Sequence, residues 1–230
     1  MKNELCFYCS APLYTLQNGF VKCSGCKKKY SPKRIEHIQK LITHFCNNDS
    51  ALFASQNTQL TYTTVLNYYK KFRHLCTAYC EEQYELHRDQ EVQYEEYVYL
   101  EKSKRKNKKA IFDAKNFLTF AYGEQVYNIL MPSLVQYKES FLEDNLEDIY
   151  HKELSKFMRN SKLIKISEKE NTITRFWEYF ENFIKSYKGV NDEFFAYYLK
   201  EAEFKFNLAP TRQKEILNQL YFHKYATLSV

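Results

Sequence analysis

Apolar positions change their period along the chain. Ile35, Ile38, Leu41, Ile42 and Phe45 recur three and four residues apart, which predicts an amphipathic helix ending near Asn47-Asn48. Ser50 is placed to cap a short helix over 51–56, and Thr61 to cap a longer one over 62–86. From residue 91 the pattern becomes strand-like. Glu91 to Leu100, Ala110 to Phe120 and Gln125 to Met131 are rich in aromatic and β-branched residues. They predict a three-stranded antiparallel meander, with its second turn around Ala121-Tyr-Gly123-Glu and its end at Pro132. Helical spacing returns over 146–159 through Leu146, Ile149, Tyr150, Leu154, Phe157 and Met158. A short strand over 162–166 follows, then helices over 172–187 and 191–206, and a last one after Pro210.

Composition adds bounds to this outline. With 230 residues, 44% apolar and 17% aromatic, the chain can bury a sizeable core. The formal net charge of +6 is unevenly placed: the first 48 residues carry eight basic and two acidic side chains, and the remainder balances at 26 of each. An acidic partner at the head is implied, nucleic acid before membrane. Only four glycines occur, which excludes a Gly-rich phosphate loop as the basis of function. No apolar run approaches the ~18 residues of a spanning helix, and MKNELCFYC lacks the apolar stretch of a secretion signal. These features predict a soluble cytoplasmic protein with no membrane partner.

The seven cysteines are an odd number, and four form two C-x-x-C pairs, Cys6/Cys9 and Cys23/Cys26, thirteen residues apart across an Asn18-Gly19 turn signal. Two such pairs suit one tetrahedral Zn²⁺ in a structural zinc ribbon over 1–34, since four thiolates leave no open coordination position. A redox C-x-x-C would need only one pair. Lys27, Lys28, Lys29, Lys33 and Arg34 follow the second pair, as phosphate contacts or as a solvated face. The helices over 35–90 come in helix-turn-helix order, the third carrying Tyr62, Thr63, Asn67, Lys70, Lys71 and Arg73 as groove or phosphate contacts. Cys76 and Cys80 share a helix face near His74, and buried structural cysteine is the favoured reading over a second metal site.

Residues 91–109 join a carboxylate-bearing strand to a run with six Lys or Arg in eight positions, including Lys104 and Arg105. Alternation puts Glu95 and Glu96 on opposite faces, so only one of them points into any site. The run reads as a solvated hairpin or as an arm that holds DNA. The β-β-β then α-β-α order of residues 91–207 predicts a mixed α+β or α/β fold, a sheet flanked by helices, compatible with a ribonuclease H-like core.

Two further stretches, Asn171-Thr-Ile-Thr-Arg-Phe-Trp177 and Tyr198-Leu-Lys-Glu-Ala-Glu-Phe-Lys-Phe-Asn207, complete a pattern. With the ribbon, the helix-turn-helix order and the carboxylate strand, residues 1–207 resemble small bacterial insertion-sequence transposases. These have an N-terminal zinc ribbon and a ribonuclease H-like DDE domain whose third acidic residue is often Asn. The resemblance implies a helical DNA-binding segment at 35–90, a catalytic domain at 91–207 and a C-terminal helix at 208–230. It implies Glu95, Asp144 (with Asp148 the lesser choice) and Asn171 as the ligands of catalytic Mg²⁺ or Mn²⁺, for DNA cleavage and strand transfer. It also implies double-stranded transposon ends as partner, a homo-oligomer on DNA and a bacterial, nucleoid-associated location. Three positions differ from the family pattern: Glu95 stands for Asp, Thr174 for Glu and Glu181 for Lys. Without the resemblance, Glu95 is a surface strand residue, and Asp144 and Asn171 are caps. The alternative function is a zinc-ribbon and helix-turn-helix DNA-binding regulator that does not cut.

Overall fold

The computed structural model describes residues 5–88, 92–139, 149, 151–156, 159, 171–187 and 190–224. Its strands are β1 Leu13–Thr15, β2 Val21–Cys23, β3 Lys29–Tyr30, β4 Gln93–Tyr99, β5 Lys115–Tyr122 and β6 Gln125–Leu130. Its helices are α1 Pro32–Cys46, α2 Ala51–Thr58, α3 Tyr62–His87, α4 Thr172–Ile184, α5 Asp192–Asn207 and α6 Pro210–Lys224. Among the described residues the fold is mixed α+β, with two three-stranded antiparallel sheets. Contacts divide the chain into two compact units, Met1–Tyr79 with Leu208–Val230, and Cys80–Asn207. The division falls inside α3, not at the strand that follows it, and the C-terminal helix belongs to the first unit.

In the first unit, β1, β2 and β3 form the small ribbon. The β1–β2 loop closes where Gly19, at φ +75°, donates its amide to Leu16 O. That left-handed backbone is what the Asn-Gly signal predicts. Helix α1 starts at Pro32, whose missing N–H costs nothing in a first turn. It buries Ile35, Ile38, Leu41, Ile42 and Phe45, the predicted stripe. Ser50 Oγ accepts from Phe53 N and caps α2, and Thr61 Oγ1 accepts from Thr64 N to cap α3. The core of the unit is aromatic: Phe45 meets Tyr69 and Phe72 edge-on, Tyr221 of α6 meets Phe72, and Phe222 lies 5.1 Å from Phe7 of the ribbon.

In the second unit the predicted meander forms with the order β4-β5-β6. Its last turn is a two-residue loop, Gly123-Glu124, with Gly123 at φ +60°. The residues expected to begin the second strand, Ala110 to Asp113, instead lie in a 3₁₀ segment, Lys108–Asp113. The basic run is not an open hairpin arm. It folds as two short 3₁₀ turns, the other being Lys102–Lys104. One sheet face presents Tyr97, Phe117 and Val126 to Ile173, Phe176, Trp177, Phe180 and Phe183 of α4 and to Phe195, Leu199 and Ala202 of α5. Burying each large side chain contributes about 1.5–3 kcal/mol, so Phe180→Ala would cost about 3–5 kcal/mol. On β6 the other face meets the end of α3, where Tyr84 stacks on Tyr127 at 3.9 Å. The helix expected over 146–159 is described at 151–156, which are helical. The strand expected over 162–166 lies outside the described residues.

Candidate functional site

The four ribbon cysteines converge, with all Sγ atoms within 4.8 Å of one another. Each C-x-x-C turns tightly and is followed by a residue with positive φ, Ser10 at 56° and Lys27 at 61°. Tyr8 N donates to Cys6 Sγ, and Gly25 N to Cys23 Sγ. These amide donors orient the two sulfurs towards the common centre. Gly25 is required there, since a Cβ would come within 2.8 Å of Ala11 Cβ. The thiols share protons unequally. Burial opposes ionisation of Cys23, but hydrogen bonds led by that from Cys9 bring it down to about 6. Burial pushes Cys26 up to about 12. Four soft donors at this spacing fit a metal ion such as zinc, which displaces the remaining protons. Among the described residues this is the one cluster of three or more such ligands. Cys76 and Cys80 are buried in α3.

The second candidate centre joins β4 to α4. Glu95 points to the helix-bearing face of the sheet, while Glu96 lies on the opposite face, exposed and bonded by Asn116 Nδ2. Asn171 is the N-cap of α4 and forms a capping box with Thr174, its Oδ1 accepting from Thr174 N at 2.8 Å. Its Nδ2 donates to Glu95 Oε1 at 3.3 Å, across 76 residues of sequence. Two of the three expected metal ligands therefore meet. The third, Asp144 or Asp148, lies outside the described residues. A carboxylate and an amide oxygen suit Mg²⁺ or Mn²⁺ chemically, but the amide oxygen is engaged by the cap and its nitrogen faces the carboxylate. Thr174, where the resemblance expects Glu, has a structural role, since its hydroxyl accepts from Asn171 N in that box.

Two turns along α4, Glu181 carries out a role that sequence reasoning missed. Tyr97 OH donates to Glu181 Oε1, and the Arg105 guanidinium lies 3.6 Å from the same oxygen. Arg105 Nε also donates to Leu100 O. Burial, then the Glu181 carboxylate, raises the Tyr97 pKa and keeps the hydroxyl protonated. A carboxylate at 181 is thus paired with a cation from the basic run. Its signal in the sequence was the departure at 181 itself.

The signature stretches do structural work around this centre. Glu95, Thr119 and Asn128 stand in one row across the sheet. Trp177 Nε1 donates to Thr119 Oγ1, Thr119 donates to Asn128 Oδ1, and Asn128 Nδ2 and N both donate to Glu203 Oε2. Lys200 lies 3.2 Å from both Glu203 and Glu81, and 3.4 Å over the Tyr127 ring. Lys205 and Glu201 pair at 2.6 Å with almost no exposure. Asn207 imitates a neighbouring strand: its Oδ1 accepts from Val126 N and its Nδ2 donates to Val126 O. Helix α5 thereby satisfies backbone groups on the outer edge of β6.

The expected DNA-contacting cations divide by environment. Lys27, Lys29, Lys33, Arg34, Lys70 and Lys71 are exposed. Lys28 is half-buried over the Tyr8 ring at 4.4 Å. Arg73 is 7% exposed, with its guanidinium 5.9 Å over the Phe45 ring. Lys104 pairs with Asp113 at 2.8 Å, and Arg105 lies 3.6 Å from Glu181, both within their own unit. No helix of the described residues is long and apolar enough to cross a membrane. Comparison with known protein families, with curated proteins and with solved structures gives no match.

Proposed function

We propose that this chain is a DNA transposase, or a derivative of one, that binds element ends through residues 1–86 and carries a metal-dependent strand-transfer domain in 91–207. The observation that carries the reading is the meeting of Glu95 and Asn171. They are the residues that the resemblance selects as first and third ligands. An antiparallel meander with α4 and α5 on one face supports a ribonuclease H-like core. In that role Glu95 supplies the hard oxygen that holds Mg²⁺ or Mn²⁺, and Asn171 orients it. An ion held there would supply Lewis-acid polarisation of the scissile phosphate and of the attacking oxygen. In the head, Cys6, Cys9, Cys23 and Cys26 hold zinc that shapes the ribbon without entering the chemistry.

A second reading has its own observation. Asn171 Oδ1 serves the helix cap and Glu181 replaces a cation with an anion, which favours a protein that occupies DNA without cutting it. The two readings part on one assay: Mn²⁺- or Mg²⁺-dependent cleavage of the DNA that flanks the coding region on both sides, with Glu95→Gln as control. Cleavage lost in the variant supports the transposase. Binding of that DNA without cleavage by either protein supports the non-cutting regulator. Absence of both would sink the two together.

A further inference from the structure

We infer that the outer face of the zinc-ribbon sheet is a stacking platform for unpaired bases of single-stranded DNA. The inference rests on the DNA-binding reading of the head and deepens it. Strand pairing sets Tyr14, Lys22 and Lys29 side by side across β1, β2 and β3, in one row on one face. Phe20 stands two residues before Lys22 and so shares that face. The opposite face holds Val21, Cys23 and Tyr30, which are buried, so this sheet has an inside and an outside. On the outside two aromatic rings are open to solvent, Tyr14 at 45% and Phe20 at 40%. Lys29 Nζ sits 4.8 Å over the Phe20 ring.

Charge selects the occupant. From Leu5 to Arg34 the chain has six basic residues and no acidic one. Four thiolates around a divalent ion remove only part of that surplus. A cationic face with ring surfaces spaced along it matches a flexible anionic strand whose bases turn outward to stack. A duplex keeps its bases stacked on each other and offers the rings nothing but backbone. A second copy of this chain would bring the same positive face against itself.

Fluorescence anisotropy of the full, zinc-loaded chain tests this with three labelled probes of equal length: oligo(dT), a mixed-sequence duplex and oligo(rU). Phe20→Ala and Tyr14→Ala are each expected to weaken oligo(dT) binding roughly tenfold, with duplex binding unchanged. Tyr14→Phe should retain affinity, because a ring and not a hydroxyl is needed. Lys22→Gln with Lys29→Gln should flatten the salt dependence of oligo(dT) binding. Zinc content and circular dichroism should match wild type in each variant. Equal losses on duplex and oligo(dT) would overturn the platform, as would tighter binding of oligo(rU). Concentration-dependent self-association that Phe20→Ala abolishes would reassign the face to a second copy. Duplex binding intact with no oligo(dT) binding sinks this inference alone, whereas no DNA binding of any kind sinks the parent reading as well.

Discussion

Thr119→Val replaces a hydroxyl by a methyl of the same shape at a position with no exposure, and thereby tests the polar row under α4. The Thr119 hydroxyl accepts from Trp177 Nε1 at 2.9 Å and donates to Asn128 Oδ1 at 2.7 Å. Valine leaves both partners buried without that bond. Each orphaned group costs about 1–3 kcal/mol, so about 3 kcal/mol of stability should be lost with no cavity formed. At a urea slope of about 2 kcal/mol per M the midpoint should fall by about 1.5 M. Trp177 is the single tryptophan of the chain, so its emission reports the second unit alone. Thr119→Ser keeps both bonds and loses one methyl, at about 1 kcal/mol. The ordering wild type, Ser, Val is therefore the expected result. Equal midpoints for Val and wild type, or a Ser variant as unstable as Val, would refute the account of the network.

Three other outcomes follow from the same geometry. Glu181→Lys sets a second cation beside Arg105 and should cost about 1–2 kcal/mol, discounted because both side chains keep some solvent, at 24% and 20%. Adding Arg105→Glu should return most of that loss in urea unfolding, and no recovery would show that the two residues are not coupled. Asn171→Asp keeps the capping acceptor but brings a second carboxylate to Glu95. It should lower the melting temperature in chelator and regain it in Mn²⁺ if the pair is a metal site, whereas a melt indifferent to the ion assigns Asn171 to capping alone. Chelation or Cys23→Ser should unfold the ribbon, and the purified chain should contain about one zinc, released with uptake of protons because Cys26 is held up to about 12. Zinc affinity should accordingly weaken as pH falls. A full-length protein without zinc whose ribbon amides stay protected from exchange would contradict this.

Legibility differed between the two units for physical reasons. The stripe of α1, the caps at Ser50 and Thr61, and the pairing of C-x-x-C knuckles are local relations, settled within a few turns of chain. Alternation separated Glu95 from Glu96, but which of them faced α4 depended on sheet register against β5. Lys and Arg positions were the least legible. Charge in the sequence marks a candidate for solvent or phosphate, yet Arg73 lies over Phe45 and Arg105 turns back to Glu181.

The sequence by itself determined most of the described helices and strands, the convergence of the four ribbon cysteines and the strand that carries Glu95, because periodicity and short spacing act through neighbouring residues. Tertiary structure alone decided that Asn171 caps α4 beside Glu95, that Glu181 is matched by Arg105, and that Asn207 seals the β6 edge. It also decided that α6 joins the first unit, where Phe222 packs on Phe7. Each of these is a contact between residues far apart in the chain. Their side chains meet only once register, burial and the need to satisfy buried polar groups have fixed where the elements lie.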